Sequence, residues 1–250
     1  MAENGEQPSN VEREPLDHVS GQMLEAAIDR LGAATAENIG LEDALELVVR
    51  SSHELFNLAG CGVMIFDDLH VLRYVAASDK RTRVLEKAQE QTAEGPCVDA
   101  AVYGIIVESS EVVSDSRWPE LATRLQGQGV SGVLGVPLRI TDATVGSLNV
   151  YAEGRHVWDN SERAAIQAFE GFVERLLHTA IVAHKRGAVV DQLQYALANR
   201  VVIERAIGMI MGRYGIDAPA AFQRLRSAAR RRRSRTADVA DRYLTGETLD

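Results

Sequence analysis

The sequence predicts a mixed α/β (α+β) domain with a mostly antiparallel central sheet, followed by a long coupling helix and an all-α three-helix bundle. The apolar pattern changes period twice. It is helical over residues 41–59, short and β-rich between Cys61 and Tyr151, and helical again beyond Asp159. Charge divides the chain in a similar way, with eleven arginines against seven acids in residues 187–250 and sixteen basic residues against twenty-nine acids in residues 1–186. Such asymmetry is the electrostatic outline of a polyanion-binding module joined to an acidic body. At 250 residues, 46% hydrophobic and 25% charged, the chain suits two modest domains, each burying a core. The divisions expected are a disordered leader over 1–16, a domain with N-terminal helices over 17–186, and a terminal bundle over 187–250.

The leader is polar and aperiodic, with too little apolar surface to offset the entropy of ordering it. Leu41, Ala44, Leu45, Val48, Leu55 and Leu58 fall mostly at helical spacing, and Gly60 is a plausible stop. Cys61–Phe66 and Val71–Ala77 are short apolar runs separated by Asp67-Asp68, the pattern of a hairpin. A polar helical stretch follows from Lys80 to Gln91, and Gly95-Pro96-Cys97 opens a short helix through Val102. Strand-like runs return at 105–107 and 112–113. The two longest, Gly132–Ile140 and Thr144–Tyr151, are joined by a Thr141-Asp142 turn.

From Asp159 the pattern is helical, with Asp159 or Ser161 as N-cap and Glu162 in the first turn. Ile166, Phe169, Val173, Leu176, Ala180, Ala183, Gly187, Val190 and Leu197 alternate steps of three and four, Gln194 being the polar exception. This is a heptad seam that suits a two-helix contact, so residues 166–197 are expected to pair two copies of the chain. A second stripe of Phe172, Leu177 and Ile181 would face the sheet; the alternative is that both stripes pack within one copy. Gly187 marks a junction. Val190–Met211 form the first helix of the bundle, ending near Tyr214-Gly215, and Asp217 caps a second with Pro219 in its first turn. Thr236 or Asp238 begins a third.

The segment from Leu193 to Ala240 resembles the ANTAR domain. The resemblance rests on Leu193, Ala196, Leu197, Arg200, Ile203, Glu204, Ala206, Gly208, Met211, Ile216, Ala221, Phe222, Leu225, Arg226, Val239 and Ala240. The family's usual Lys falls on Ile207, and its usual Asn and Leu fall on Arg233 and Thr236. Residues from about 41 to 185 resemble the GAF domain, on Glu94-Gly95-Pro96-Cys97-Val98-Asp99-Ala100, Trp118-Pro119, the run Gly132–Leu138 and the run Val145–Tyr151. The pairing is typical of actinobacterial regulators. The resemblance implies a sensory domain with a mainly apolar pocket for an unidentified small molecule. It also implies an output module that binds paired hairpins of a nascent transcript as a dimer and prevents a terminator from forming.

RNA recognition needs cationic side chains for phosphates and a few that reach unpaired loop bases. The candidates are Arg200, Arg205, Arg226, Arg230, Arg231, Arg233 and Arg235. Helical residues turn by about 100° each, so consecutive arginines cannot all meet one ligand. Two of the four in Arg230–Arg233 are expected to serve solvent or the helix dipole. Glu204 reads as an i, i+4 partner of Arg200.

The alternatives are a DNA-binding regulator, with one helix in a major groove, and a non-catalytic sensing or docking subunit that meets an acidic partner. Catalysis is not expected, since no phosphate loop, kinase signature or nucleophile triad stands out. A reductase using Cys97 would need Cys61 as resolving thiol; otherwise both read as buried core. His53, His70, His156, His178 and His184 lack ligand spacing, so no metal site is assigned. With two cysteines and no window of ~18 apolar residues, the expectation is a reduced, cytoplasmic protein without a membrane span.

Overall fold

The computed structural model describes residues 19–249 except 37–38, 58–59, 68–69 and 184–186. The expected leader, Leu58, Asp68, His184 and the boundary at residue 186 lie outside the described residues. Two helices, α1 (Gly21–Ala36) and α2 (Leu41–Phe56), precede strands β1 (Gly60–Phe66) and β2 (Leu72–Ala77). There follow α3 (Lys80–Thr92), α4 (Pro96–Tyr103), β3 (Val107–Ser109), α5 (Pro119–Leu125), β4 (Val130–Ile140) and β5 (Ala143–Glu153). The chain then continues as α6 (Asn160–Val182), α7 (Ala188–Tyr214), α8 (Ala218–Arg232) and α9 (Thr236–Leu244).

The five strands form one sheet in the order β2-β1-β5-β4-β3, every neighbouring pair antiparallel. Strand β1 lies between α2 and α3, which is why it is buried at every position rather than alternating. One face carries Cys61, Val63, Ile65, Leu134, Val136, Leu148 and Val150 against α1, α2 and α6. The other carries Met64, Phe66, Val133 and Tyr151 against α3, α4 and α5.

Several local expectations change. Helix α2 ends not at Gly60 but at Asn57, in the left-handed region at φ 49, and Gly60 opens β1. Val112–Ser114 is a 3-10 turn rather than a strand, and the short strand sits at Val107–Ser109. Helix α5, behind Trp118, had no apolar repeat long enough to announce it. Asp159 rather than Ser161 caps α6: its Oδ1 accepts the Glu162 N–H at 2.8 Å and Glu162 Oε2 accepts the Asp159 N–H at 2.9 Å, a reciprocal capping box. Helix α9 begins at Thr236.

The long coupling helix is α6, and Gly187, the junction expected, precedes α7. At Gly187 φ is 151°, a value that disfavours any side chain, and an added Cβ would lie 2.9 Å from Glu42 Oε1. The seam therefore does not run straight on. Ile166, Phe169, Val173, Ala180 and Val190 are buried in the same core as the sheet, and so are Phe172 and Leu177 of the second stripe. Most of both stripes therefore packs within one chain, with Leu176, Ile181 and Leu197 partly buried against the same core and Ala183 exposed.

Helix α7 links two cores. Its first turns bury Val189, Val190 and Leu193 in the sensor, while Ile203, Ala206 and Ile210 pack with Ala221, Leu225, Ala228, Val239, Ala240 and Tyr243 in the terminal bundle. No helix among the described residues is long and apolar enough to cross a membrane.

Candidate nucleic-acid interface and sensory core

The arginines expected to meet RNA are distributed unevenly. Arg205 is exposed on α7. Arg200 is half-buried, its Nε donating to Glu204 Oε1 at 2.7 Å as the i, i+4 spacing implied. Arg226 is only 3% exposed, turned toward the first domain rather than toward solvent. Burial, then the nearby charges of Arg230 and Arg73, pull its guanidinium down to about 10.

The arginine run splits by role. Arg230 is exposed. Arg231 Nη2 donates to the Leu249 carbonyl at 2.5 Å, and Arg232 donates to the Thr248 carbonyl at 2.5 Å while pairing with Glu247 at 3.3 Å. Arg233 is the left-handed C-cap of α8 at φ 49, exposed at its side chain. Arg231 and Arg232 thus hold the segment 247–249 against α8, and Arg230 and Arg233 face outward. Arg235 lies 5.2 Å from the Tyr195 ring centroid, in cation-π range.

Sequence reasoning missed a second cationic group. Arg224 sits 4.2 Å and Arg213 5.7 Å from the ring centroid of Tyr214, an exposed aromatic at the α7–α8 corner. An aromatic flanked by arginines was the available signal.

The sensor's interior also buries a polar network. On the α3 face of the sheet, Ser147, Asn149 and Tyr151 project at alternate positions of β5. Glu86, fully buried on α3, accepts from Asn149 Nδ2 at 3.0 and 3.3 Å. Gln89 Nε2 donates to Tyr151 Oη at 2.9 Å and to Cys97 Sγ at 2.8 Å, while its Oε1 accepts the Cys97 N–H at 3.0 Å. Gly62 and Gly135 both pair with Asn149 and make the room. A Cβ on Gly62 would fall 2.0 Å from Glu86 Oε1, and one on Gly135 would fall 3.0 Å from the Pro96 carbonyl oxygen. Burial pushes Glu86 up to about 8, so the carboxyl is mostly protonated at neutral pH. Burial likewise drives the Cys97 thiol upward, which disfavours a thiolate.

Cys61 and Cys97 belong to the clusters on opposite faces of the sheet, so the thiol pair a reductase would need is not assembled. Among the described residues no group of three or more His, Cys, Asp or Glu is placed to hold a metal.

A GAF domain model matches residues 40–177 and an ANTAR domain model residues 191–242. Among solved structures, the GAF domain of a phosphoenolpyruvate-protein phosphotransferase from Coxiella burnetii is similar at TM-score 0.53 and 18% identity, over 66% of this chain and 98% of that one. The corresponding GAF domain from Acinetobacter gives TM-score 0.52 and 13% identity, over 67% and 100%. Free methionine-R-sulfoxide reductase from Neisseria meningitidis gives 0.52 and 15%, over 65% and 93%. These likenesses establish the fold alone. No curated protein matches the sequence. With more than half its residues under the first model, the chain belongs to the GAF domain family, and it carries at its C-terminal end an ANTAR domain, the RNA-binding module of transcription antitermination.

Proposed function

We propose that this protein is a non-catalytic, sensor-regulated antiterminator: its ANTAR bundle binds hairpin loops of nascent transcripts, two at a time in a dimer, under control of the GAF domain. The observation that carries this reading is the match of residues 191–242 to an RNA-binding domain whose helices present Arg205, Arg230, Arg233 and Arg235 at the surface. Their charge is of the right sign for phosphate, and an A-form major groove too narrow for side chains directs recognition to loops. The domain division is residues 17–186 for sensing and 187–250 for output.

Two weak loop contacts joined in one dimer raise avidity by about 10² to 10⁴ without any new contact, so pairing is an efficient point of control. With the seam buried, pairing through residues 166–197 falls to the positions left outside, of which Val182 is 61% exposed. An acidic sensor held near the bundle also repels RNA, which favours low affinity until the domains rearrange.

The test uses the full chain and three synthetic probes: an RNA with two tandem stem-loops, the same RNA with one, and a DNA duplex of equal length. The expected result is tightest binding to the tandem RNA, at least tenfold over the single stem-loop, with mass measurement giving a dimer on the RNA. Preference for duplex DNA, or equal affinity for one and two loops, rejects the proposal.

A further inference from the structure

The output bundle is seated on the sensor, not merely tethered to it. Phe222 of α8 is 2% exposed and belongs to the sensor's apolar cluster rather than to the bundle's. Its ring meets Phe66 edge-on at 6.3 Å and His70 edge-on at 5.5 Å, and those two rings stack at 4.3 Å. Gln223 Nε2 donates to the carbonyl of Ala93, the C-cap of α3, at 2.8 Å. Ile207, where the family usually has a lysine, packs against both the sensor cluster and the bundle core. An apolar side chain there suits a helix that docks.

One turn along α8 from Phe222, Arg226 lies in the field of Asp67 and Glu90. Arg73 already engages both carboxylates, with Nε to Asp67 Oδ2 at 2.8 Å and Nη1 to Glu90 Oε1. The Arg226 Nε and Nη2 atoms are buried with no hydrogen-bond partner. The seat therefore has two opposed halves. Ring burial favours docking, whereas a guanidinium with unmet N–H groups is better served by phosphate oxygens outside. Arg226 and Arg230 stand at i and i+4, so they share one side of α8, and the sensor covers the first while leaving the second exposed, as is Arg233 at the C-cap.

We infer that the sensor masks the RNA face of the ANTAR bundle through this seat, with Asp67 and Glu90 standing where phosphates would, and that release of Phe222 turns Arg226 out to contact RNA. This rests on the RNA-binding reading above and adds its regulation. Apolar burial opposed by an underpaired cation is an arrangement that makes a seat reversible, the property a switch needs.

The test compares the full chain with His70→Gly and Phe222→Ala, which loosen the seat from its two sides. His70 lies at φ 55, so glycine fits there without backbone strain. Hydrogen exchange across α8 reports docking, and titration with the synthetic tandem stem-loop RNA reports affinity. The expected result is loss of α8 protection with a gain of at least tenfold in RNA affinity in both variants. Adding Arg226→Leu should remove that gain while changing the docked parent less than twofold. If α8 becomes exposed and all forms bind RNA within twofold of the parent, masking is wrong while RNA binding stands. If α8 keeps its protection even in the double variant, the seat does not hold the domains together and the inference fails. If no form binds RNA with α8 exposed, the RNA reading itself falls and takes the inference with it.

Discussion

Glu86 allows the sensor's interior to be tested by a number. In the folded state its carboxyl is raised from 4.5 to about 8, chiefly by burial, with Asn149 and Tyr151 opposing and Glu90 adding a smaller push. A raised acid binds its proton more tightly when folded than when unfolded. Its contribution to stability is therefore complete below pH 4.5 and is lost as pH rises through about 8. At about 1.4 kcal/mol per pH unit, ionising the group in place costs on the order of 5 kcal/mol in full. Glu86→Gln keeps an acceptor for the Asn149 amide and removes the titration. The two proteins should be similarly stable at pH 4.5, and the wild type should then lose ground at roughly 1.4 kcal/mol per unit between pH 5 and 7.5. Urea unfolding followed by tryptophan fluorescence isolates the effect, because the two tryptophans, Trp118 and Trp158, are both buried in the sensor. A stability gap that stays flat within about 1 kcal/mol from pH 5 to 9 would refute the argument, since a carboxylate ionised at an ordinary pH carries no such dependence.

Three further outcomes follow from local geometry. Gly62→Ala places a methyl 2.0 Å from Glu86 Oε1, so the sensor should lose about 1–3 kcal/mol and its pH dependence should weaken as Glu86 is displaced; unchanged urea curves would contradict the close approach. Asp159→Ala removes the N-cap half of the α6 capping box and should cost about 1 kcal/mol of sensor stability in the same fluorescence assay, with no loss meaning the cap is not coupled to the fold. Gly208→Ala, helical with nothing within 4 Å of the new Cβ, should stabilise α7 by about 0.5–1 kcal/mol, read as a higher melting temperature of the bundle by circular dichroism. A lower melting temperature would mean that the glycine meets a constraint inside the chain.

The fold was largely legible because its signals are local. The β4–β5 hairpin announced itself through two β-rich runs about a turn residue that the structure places at Thr141, φ 54. Asp217 and Asp159 are caps for the reason short oxygen-bearing side chains suit that position, and both accept the expected backbone N–H. The junction at Gly187 was legible, but heptad spacing specifies that a stripe is buried without saying against what. Ile166, Phe169 and Val173 found the sheet of their own chain, and a single positive-φ glycine at 187 divided the run. Helix α5 spans only seven residues, shorter than two helical turns, too few for a period to be counted.

The candidate site was legible in composition and illegible in assignment. A count of arginines locates a cationic bundle, since charge of one sign survives any arrangement of the helices. Which arginine is left at the surface depends on contacts more than a hundred residues apart in sequence, such as Gln223 to Ala93, and no local pattern encodes these. Arg226 and Arg230 are one residue type one turn apart on α8, yet one is buried against the sensor and the other exposed, because Arg226 lies one turn from Phe222, which is anchored in the sensor's cluster, and Arg230 lies two. Ile207 was the clue that sequence did offer. A lysine lost from a phosphate-binding helix weakens that helix for RNA, whereas an isoleucine gained at the same place strengthens it for an apolar neighbour. The substitution makes physical sense once the sensor packed against α7 within the same chain is weighed beside the RNA that the proposed function brings to the bundle.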